Sequence, residues 1–182
     1  MSIRNELEQF DGKHTDVLKG ILSRHRPTNS LVKSLVTLVA DKEPKIQTAA
    51  TWLLKRLAEN HVHFKPEHLM ALFGSLSDLT HWISKLHVCQ MLQYVAIPKD
   101  SDRTLAWFLD RNLWDENRFL RAWSYSGLYE LARQHKKYIP YVLEELERGE
   151  ADQPASVKVR IRNIRKAINK CRERIDGGAA SF

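Results

Sequence analysis

Three histidines are the first residues whose type suggests chemistry, because neutral imidazole is the side chain that most often binds metals. His61, His63 and His68 lie in the segment HVHFKPEH. No cysteine is near them, and their spacing matches none of the established zinc motifs. We therefore expect this segment to be a solvated loop and the chain to bind no metal.

Motifs of enzyme active sites are also missing. The sequence contains no GxSxG nucleophile elbow, no Walker phosphate loop, no GxGxxG dinucleotide loop and no HExxH metal site. Glu144, Glu145 and Glu147 form an acidic patch, but nothing in the pattern marks one of them as a general acid or base. The chain is therefore expected to be non-enzymatic and to need no cofactor.

Basic side chains are concentrated near the end of the sequence. The 182 residues carry 29 lysines and arginines against 22 acidic residues, a net charge of +7. Residues 156–175 contain eight of these basic residues and one acid, so this segment carries the whole excess. Its apolar residues recur at helical spacing, which predicts a helix with a basic outer surface. The residues expected to meet a polyanion are Arg162, Lys166, Lys170 and Arg174.

This basic segment allows two interpretations. The helix could be a cap, because the last unit of a repeat protein needs a polar outer face. It could also dock a polyanion, such as a nucleic acid, an acidic protein segment or an anionic membrane surface. Caps usually mix both signs of charge, and the lack of balancing glutamates keeps the second interpretation open.

Aromatic residues are concentrated between residues 107 and 141, where nine of the sixteen lie. Most of these rings are expected in the core. A helical wheel that turns Leu120 and Leu128 inward points Tyr125 and Tyr129 outward. Two exposed tyrosines beside arginines predict a recognition surface, and the alternative is packing against neighbouring helices. The other residues expected on this surface are Arg118, Arg121, Lys55 and Leu92.

The chain has an internal period of 37 residues. The rows that repeat include Asp41, Asp78, Asp115 and Asp152, and Leu35, Leu72, Leu109 and Leu146. Apolar residues at three- and four-residue steps predict a shorter and then a longer helix in each period. The predicted pairs cover 28–60, 66–96, 101–135 and 138–175, preceded by a poorer pair at 2–25. One domain is expected over residues 1–176, followed by a disordered tail at 177–182.

Helix pairs of this kind cannot bury their apolar faces alone, and stacking them in a row gives an α-solenoid. The second helices contain IQTAATWLLKRLA at 46–58, LRAWSYSGLYELA at 120–132 and VKVRIRNIRKAI at 157–168. These segments resemble the HEAT-repeat (armadillo-like) family. The resemblance implies an all-α, right-handed solenoid of about five antiparallel helix pairs. It also implies a ladder in which Asp115 meets Arg121, and Gln47 departs from that ladder.

Function is predicted less narrowly than fold, because HEAT-like solenoids serve many binding roles. We expect a scaffold that engages a protein or peptide partner on the face formed by the second helices. The alternative is a nucleic-acid-binding solenoid that uses its basic last helix. A third hypothesis comes from a resemblance to the DNA alkylation-repeat glycosylases, which also look like HEAT solenoids. The residues that would serve it are Trp114, Asp115, Arg118, Arg121 and Trp123.

Composition is that of an ordinary globular protein, with 43% hydrophobic and 28% charged residues. No apolar run approaches the roughly 18 residues of a membrane span, and no secretory signal is visible at the start. Cys89 and Cys171 show no disulfide pattern. These features predict a cytoplasmic location. The sequence does not indicate which partner is bound or what the oligomeric state is.

Overall fold

The computed structural model describes residues 2–178, with residue 152 and residues 171–178 described by their backbone only. Every regular element in this range is helical, which confirms the all-α prediction. The helices are α1 (Ile3–Leu7), α2 (Asp16–Arg24), α3 (Asn29–Leu38), α4 (Pro44–Glu59), α5 (Pro66–Gly74), α6 (Trp82–Met91), α7 (Asp102–Asn112), α8 (Arg118–Gln134), α9 (Ile139–Asp152) and α10 (Ala155–Gly178). Single 3₁₀ turns lie at Leu76–Asp78, Leu92–Tyr94, Lys99–Ser101 and Lys136–Tyr138. None of the described helices is long and apolar enough to cross a membrane.

Several helices begin where the sequence satisfies or removes a backbone N–H group. Thr28 Oγ1 accepts from the first turn of α3, and Asn117 Oδ1 accepts two N–H groups of the first turn of α8. Pro44 and Pro66 begin α4 and α5, where the missing N–H would have no partner within the helix. At the other end of the chain, α10 continues to Gly178, two residues into the predicted tail at 177–182. Residues 179–182 lie outside the described part of the chain.

Asp41 and Asp115, two of the periodic aspartates, lie just before second helices but are not their N-cap residues. Asp41 Oδ1 accepts from Glu43 N at 2.9 Å, and Asp115 Oδ1 accepts from Asn117 N at 2.8 Å. Each bond closes a turn two residues after the aspartate. Glu43 and Asn117 therefore become the N-cap residues of α4 and α8. In these two repeats the aspartate therefore shapes the loop that precedes the second helix.

Second helices pack against one another in chain order: α4 contacts α6, α6 contacts α8, and α8 contacts α10. Among the first helices, α3 contacts α5 and α5 contacts α7. At the beginning of the chain, α1 and α2 both pack against α4. Helix α8 also contacts α7 and α9, so it has neighbours on most of its circumference. This crowding decides where the aromatic side chains of α8 lie.

The 37-residue period of the sequence corresponds to contacts between neighbouring pairs. Thr48 Oγ1 lies 2.9 Å from Ser84 Oγ, and Thr51 Oγ1 lies 3.1 Å from His87 Nδ1, each pair being 36 residues apart. The leucine row is equally regular. Its members on α3, α5, α7 and α9 are all buried, namely Leu35, Leu72, Leu109 and Leu146.

Gln47 connects two successive loops from the first turn of α4. Its Nε2 donates to Asp41 O at 2.9 Å and to Asp78 O at 2.8 Å, while its Oε1 accepts from Thr80 N at 3.2 Å. An arginine or lysine could supply only the donors. The amide therefore explains the departure from the basic ladder, because this position needs a donor and an acceptor together.

Candidate binding groove

Tyr125 is buried in the structure, so the prediction that it is an exposed anchor is wrong. Its side chain is 2% exposed and lies between α8 and α9. A Cβ added at Gly149 would lie only 2.6 Å from Tyr125 Cζ, so the ring packs directly on the α9 backbone. Burial and the nearby Glu145 carboxylate raise the pKa of Tyr125 to about 12. The helical wheel assumed one buried face, whereas α8 is packed on several sides.

Leu92 is also buried, which corrects its assignment to the binding surface. It follows α6 in a 3₁₀ turn and is fully inaccessible to solvent. Its Cδ1 and the side chain of Leu109 both approach the position that a Cβ of Gly127 would occupy. Leu92 therefore fills the space between α6, α7 and α8 and belongs to the core.

Lys55 and Arg121 are both engaged within the chain. The Lys55 side chain is 14% exposed and forms an ion pair with Glu59 at 3.1 Å. Arg121 Nη1 donates to Asp115 O at 2.7 Å, so the expected ladder contact is made to the backbone carbonyl, not to the carboxylate. Both side chains are largely committed to stabilising their own helix ends.

Tyr129 and Arg118, the other two predicted surface residues, line a groove between α8 and α10. This α8–α10 groove consists of two adjoining cavities of about 310 Å³ and about 200 Å³. The cavities share Trp123, Arg160 and Asn163. Arg118 lies at the end of the larger cavity, and the half-buried Tyr129 lines the smaller one.

Large apolar side chains are exposed along this groove. Phe119 is 56% exposed and Val159 is 54% exposed, and both line the larger cavity beside Trp123. Most rings of this region were expected in the core, so the exposure of Phe119 was not predicted. One signal could have found it. Phe119, Ala122 and Trp123 form a second apolar stripe at helical spacing, on a helix whose first stripe already faces the core.

Two arginines lie over aromatic rings of the groove. The Arg160 guanidinium carbon is 4.2 Å from the Trp123 ring centroid, and that of Arg118 is 5.4 Å from the Phe119 ring centroid. These distances are typical of cation–π contacts. Neither arginine forms an ion pair with any side chain that the structure describes. The groove therefore combines apolar surface with two guanidinium groups that have no carboxylate partner among the described side chains.

The predicted polyanion face on α10 is partly neutralised. Arg162 and Arg165 share Glu150, at N–O distances of 3.5 Å and 3.1 Å. Lys166 and Lys170 are exposed. The side chain of Arg174 lies outside the described residues. Lys166 and Lys170 thus remain the exposed cations of this face that have no carboxylate partner among the described side chains.

The residues considered for glycosylase and metal chemistry are not brought together. Of the five glycosylase candidates, Arg118 and Trp123 line the groove, whereas the Asp115 carboxylate is used by the turn before α8. His68 is buried on α5, so the prediction of a solvated loop is wrong for that residue. Among the described residues, no group of three or more His, Cys, Asp or Glu is arranged to hold a metal ion.

Comparisons with protein-family models, with curated proteins and with solved structures gave no significant match.

Proposed function

We propose that this chain is a HEAT-like α-solenoid of about five helix pairs that acts as a non-enzymatic binding module. It engages a protein or peptide partner on the face formed by α4, α6, α8 and α10. The chain order of contacts among these four helices supports the solenoid, as do the polar bonds between positions about one period apart. A cytoplasmic location remains part of the same proposal.

The observation that carries the proposed function is the exposed apolar surface of the α8–α10 groove. A protein gains nothing in its own stability by exposing Phe119 and Val159 to water in a concave site beside Trp123. Such a site fits a peptide side chain or a helix face that buries these groups on binding. Phe119 and Trp123 thus replace Tyr125 and Leu92 among the proposed binding residues, and Tyr129 is kept as an anchor.

Burial of Phe119 by a partner gives the expected size of the effect. An aromatic side chain offers about 200 Å² of surface, and roughly half of that is open at Phe119. At about 25 cal/mol per Å², covering this area contributes about 2.5 kcal/mol to binding. Phe119→Ala removes most of this contribution and should therefore raise the dissociation constant roughly 30-fold.

The test is selection from a random 12-residue peptide library displayed on phage, followed by fluorescence polarisation with the enriched peptides. We expect enriched peptides to bind the wild-type chain and to lose roughly 30-fold affinity for Phe119→Ala. Trp107→Ala is the matched control, because Trp107 is another exposed aromatic under an arginine but lies on α7. No enrichment, or equal losses in both variants, would overturn the assignment of the groove.

A second candidate function, nucleic-acid binding, is favoured by the exposed Lys166 and Lys170 on α10. If phosphates are the ligand, affinity for duplex DNA should fall steeply with salt, because each neutralised phosphate releases counterions. Lys166→Glu with Lys170→Glu should then reduce both the affinity and the salt dependence. A chain that passes through heparin resin at moderate salt would speak against this candidate.

A further inference from the structure

We infer that the α8–α10 groove selects an acidic peptide segment that also carries a large apolar side chain. The inference deepens the proposed function and rests on it: it states which peptides the second-helix face accepts. Three features of the groove lead to it, namely unbalanced guanidinium groups, exposed apolar walls and the distribution of carboxylates around the site.

The first feature is the positive charge of the larger cavity, where Arg118 and Arg160 form no ion pair with a described side chain. None of the described residues that line the larger cavity is acidic, whereas Arg118 and Arg160 both lie there. A guanidinium stacked on a ring keeps its N–H groups pointing outward from its edge, in the fork that matches a carboxylate. Each arginine can therefore receive one Asp or Glu side chain without leaving its aromatic ring.

The second feature is the apolar wall of the larger cavity. Phe119, Val159 and Ala122 line the same cavity as both guanidinium groups. A peptide with only acidic residues would leave this apolar surface in contact with water. A leucine, phenylalanine or tryptophan near the acidic residue fits the cavity better, because it covers the wall while the carboxylates reach the arginines.

The third feature favours a peptide over a nucleic acid. Glu130 lines the smaller cavity, and Glu150 lies between Arg162 and Arg165 on the flank. A polymer with a phosphate at every unit would meet these carboxylates, whereas a short segment with one or two acids would not need to. Arg160 also lies over the Trp123 ring at 4.2 Å, and Arg118 lies over the Phe119 ring at 5.4 Å, so a stacking base would compete with these guanidinium groups.

The charge of the enriched library peptides provides the first readout. We expect a net negative charge and at least one large apolar residue in most of them. For the tightest peptide, replacing Asp and Glu by Asn and Gln should weaken binding at least tenfold. Enrichment of neutral or basic peptides that still need Phe119 would overturn this inference and leave the proposed function intact.

Charge reversal in the protein gives the second readout. Arg160→Glu should weaken binding of the tightest acidic peptide at least tenfold, and the milder Arg160→Gln should weaken it less. Arg111→Glu is the matched control, because Arg111 also lies over an aromatic ring, 4.8 Å from that of Trp107 on α7. The substitution changes the net charge by the same amount as Arg160→Glu. It should alter affinity less than twofold. Equal losses in Arg111→Glu and Arg160→Glu would show a non-specific effect of net charge and overturn the inference.

A twelve-nucleotide thymidine strand serves as the competing probe. If it binds in an Arg160-dependent manner while no peptide is enriched, the groove is a nucleic-acid site, and both the inference and the proposed function fail. If the strand binds the wild type and Arg160→Glu equally, while acidic peptides bind the wild type more tightly than Arg160→Glu, the inference stands. Thermal unfolding of each variant by circular dichroism ensures that only folded chains are compared.

Discussion

Two aromatic residues on α8, six positions apart, should respond oppositely to removal of their rings. Tyr125 is 2% exposed and packs on Gly149 of α9, whereas Phe119 is 56% exposed in the groove. Replacement of a buried aromatic side chain by alanine costs about 3–5 kcal/mol, because contacts are lost and a cavity remains. Exposed substitutions usually change stability by less than about 0.5 kcal/mol.

These values translate into a clear difference in melting temperature. For a chain of this size, 1 kcal/mol corresponds to roughly 2–4 °C. Tyr125→Ala should therefore lower the midpoint of thermal unfolding by about 6–20 °C, and Phe119→Ala by no more than about 2 °C. Peptide binding should show the reverse order, since Phe119→Ala removes an anchor and leaves the fold intact.

The assay is thermal unfolding followed by circular dichroism at the helical band, repeated by scanning calorimetry. Tyr125→Phe is the intermediate variant, because it keeps the ring on Gly149 and removes only the hydroxyl. Its midpoint should lie much nearer to the wild type than that of Tyr125→Ala. Equal midpoints for Tyr125→Ala and Phe119→Ala would refute the placement of the two rings.

Two further predictions concern the core. Gly149→Ala should destabilise the fold, because the new Cβ would lie 2.6 Å from Tyr125 Cζ and 2.7 Å from Ile161 Cδ1. Urea unfolding measures the loss of stability. Gly74→Ala is the control, because the space around its Cβ position is open. Burial lowers the pKa of His87 to about 3. Below about pH 6.5 its imidazole is therefore protonated in the unfolded chain but stays neutral in the folded chain. Stability should fall as pH drops from about 6.5 towards 3, and His87→Gln should reduce this slope; an unchanged slope between pH 7 and pH 4 would contradict the buried neutral imidazole.

The sequence predicted the helices and the repeated leucine row well because both depend on periodicity. Leu35, Leu72, Leu109 and Leu146 recur at the spacing of the helix pairs, and all four are buried. The position of a residue around a helix was harder to predict. A wheel treats a helix as having one buried face, and Tyr125 lies on a helix that contacts α6, α7, α9 and α10.

The groove itself could not be predicted from the chain order alone. Arg160 lies over Trp123 because α10 packs against α8, and no local spacing connects these two residues. Most rings between residues 107 and 141 were expected in the core because large rings are usually buried, and no signal was used to single out Phe119 as exposed. Its exposure depends on which side of α8 is left open by α10, which is a property of helix packing.

The bridge formed by Gln47 has a consequence for how the first helix pairs respond to their surroundings. The junction between the loops at Asp41 and Asp78 depends on an uncharged amide. Added salt cannot screen its hydrogen bonds as it would an ion pair, and no change of pH within the physiological range alters the protonation of the Gln47 side chain. The hydrogen bonds of Gln47 should therefore persist under conditions that weaken the ion pairs of Arg4 with Asp41 and Glu43 in the first of these loops.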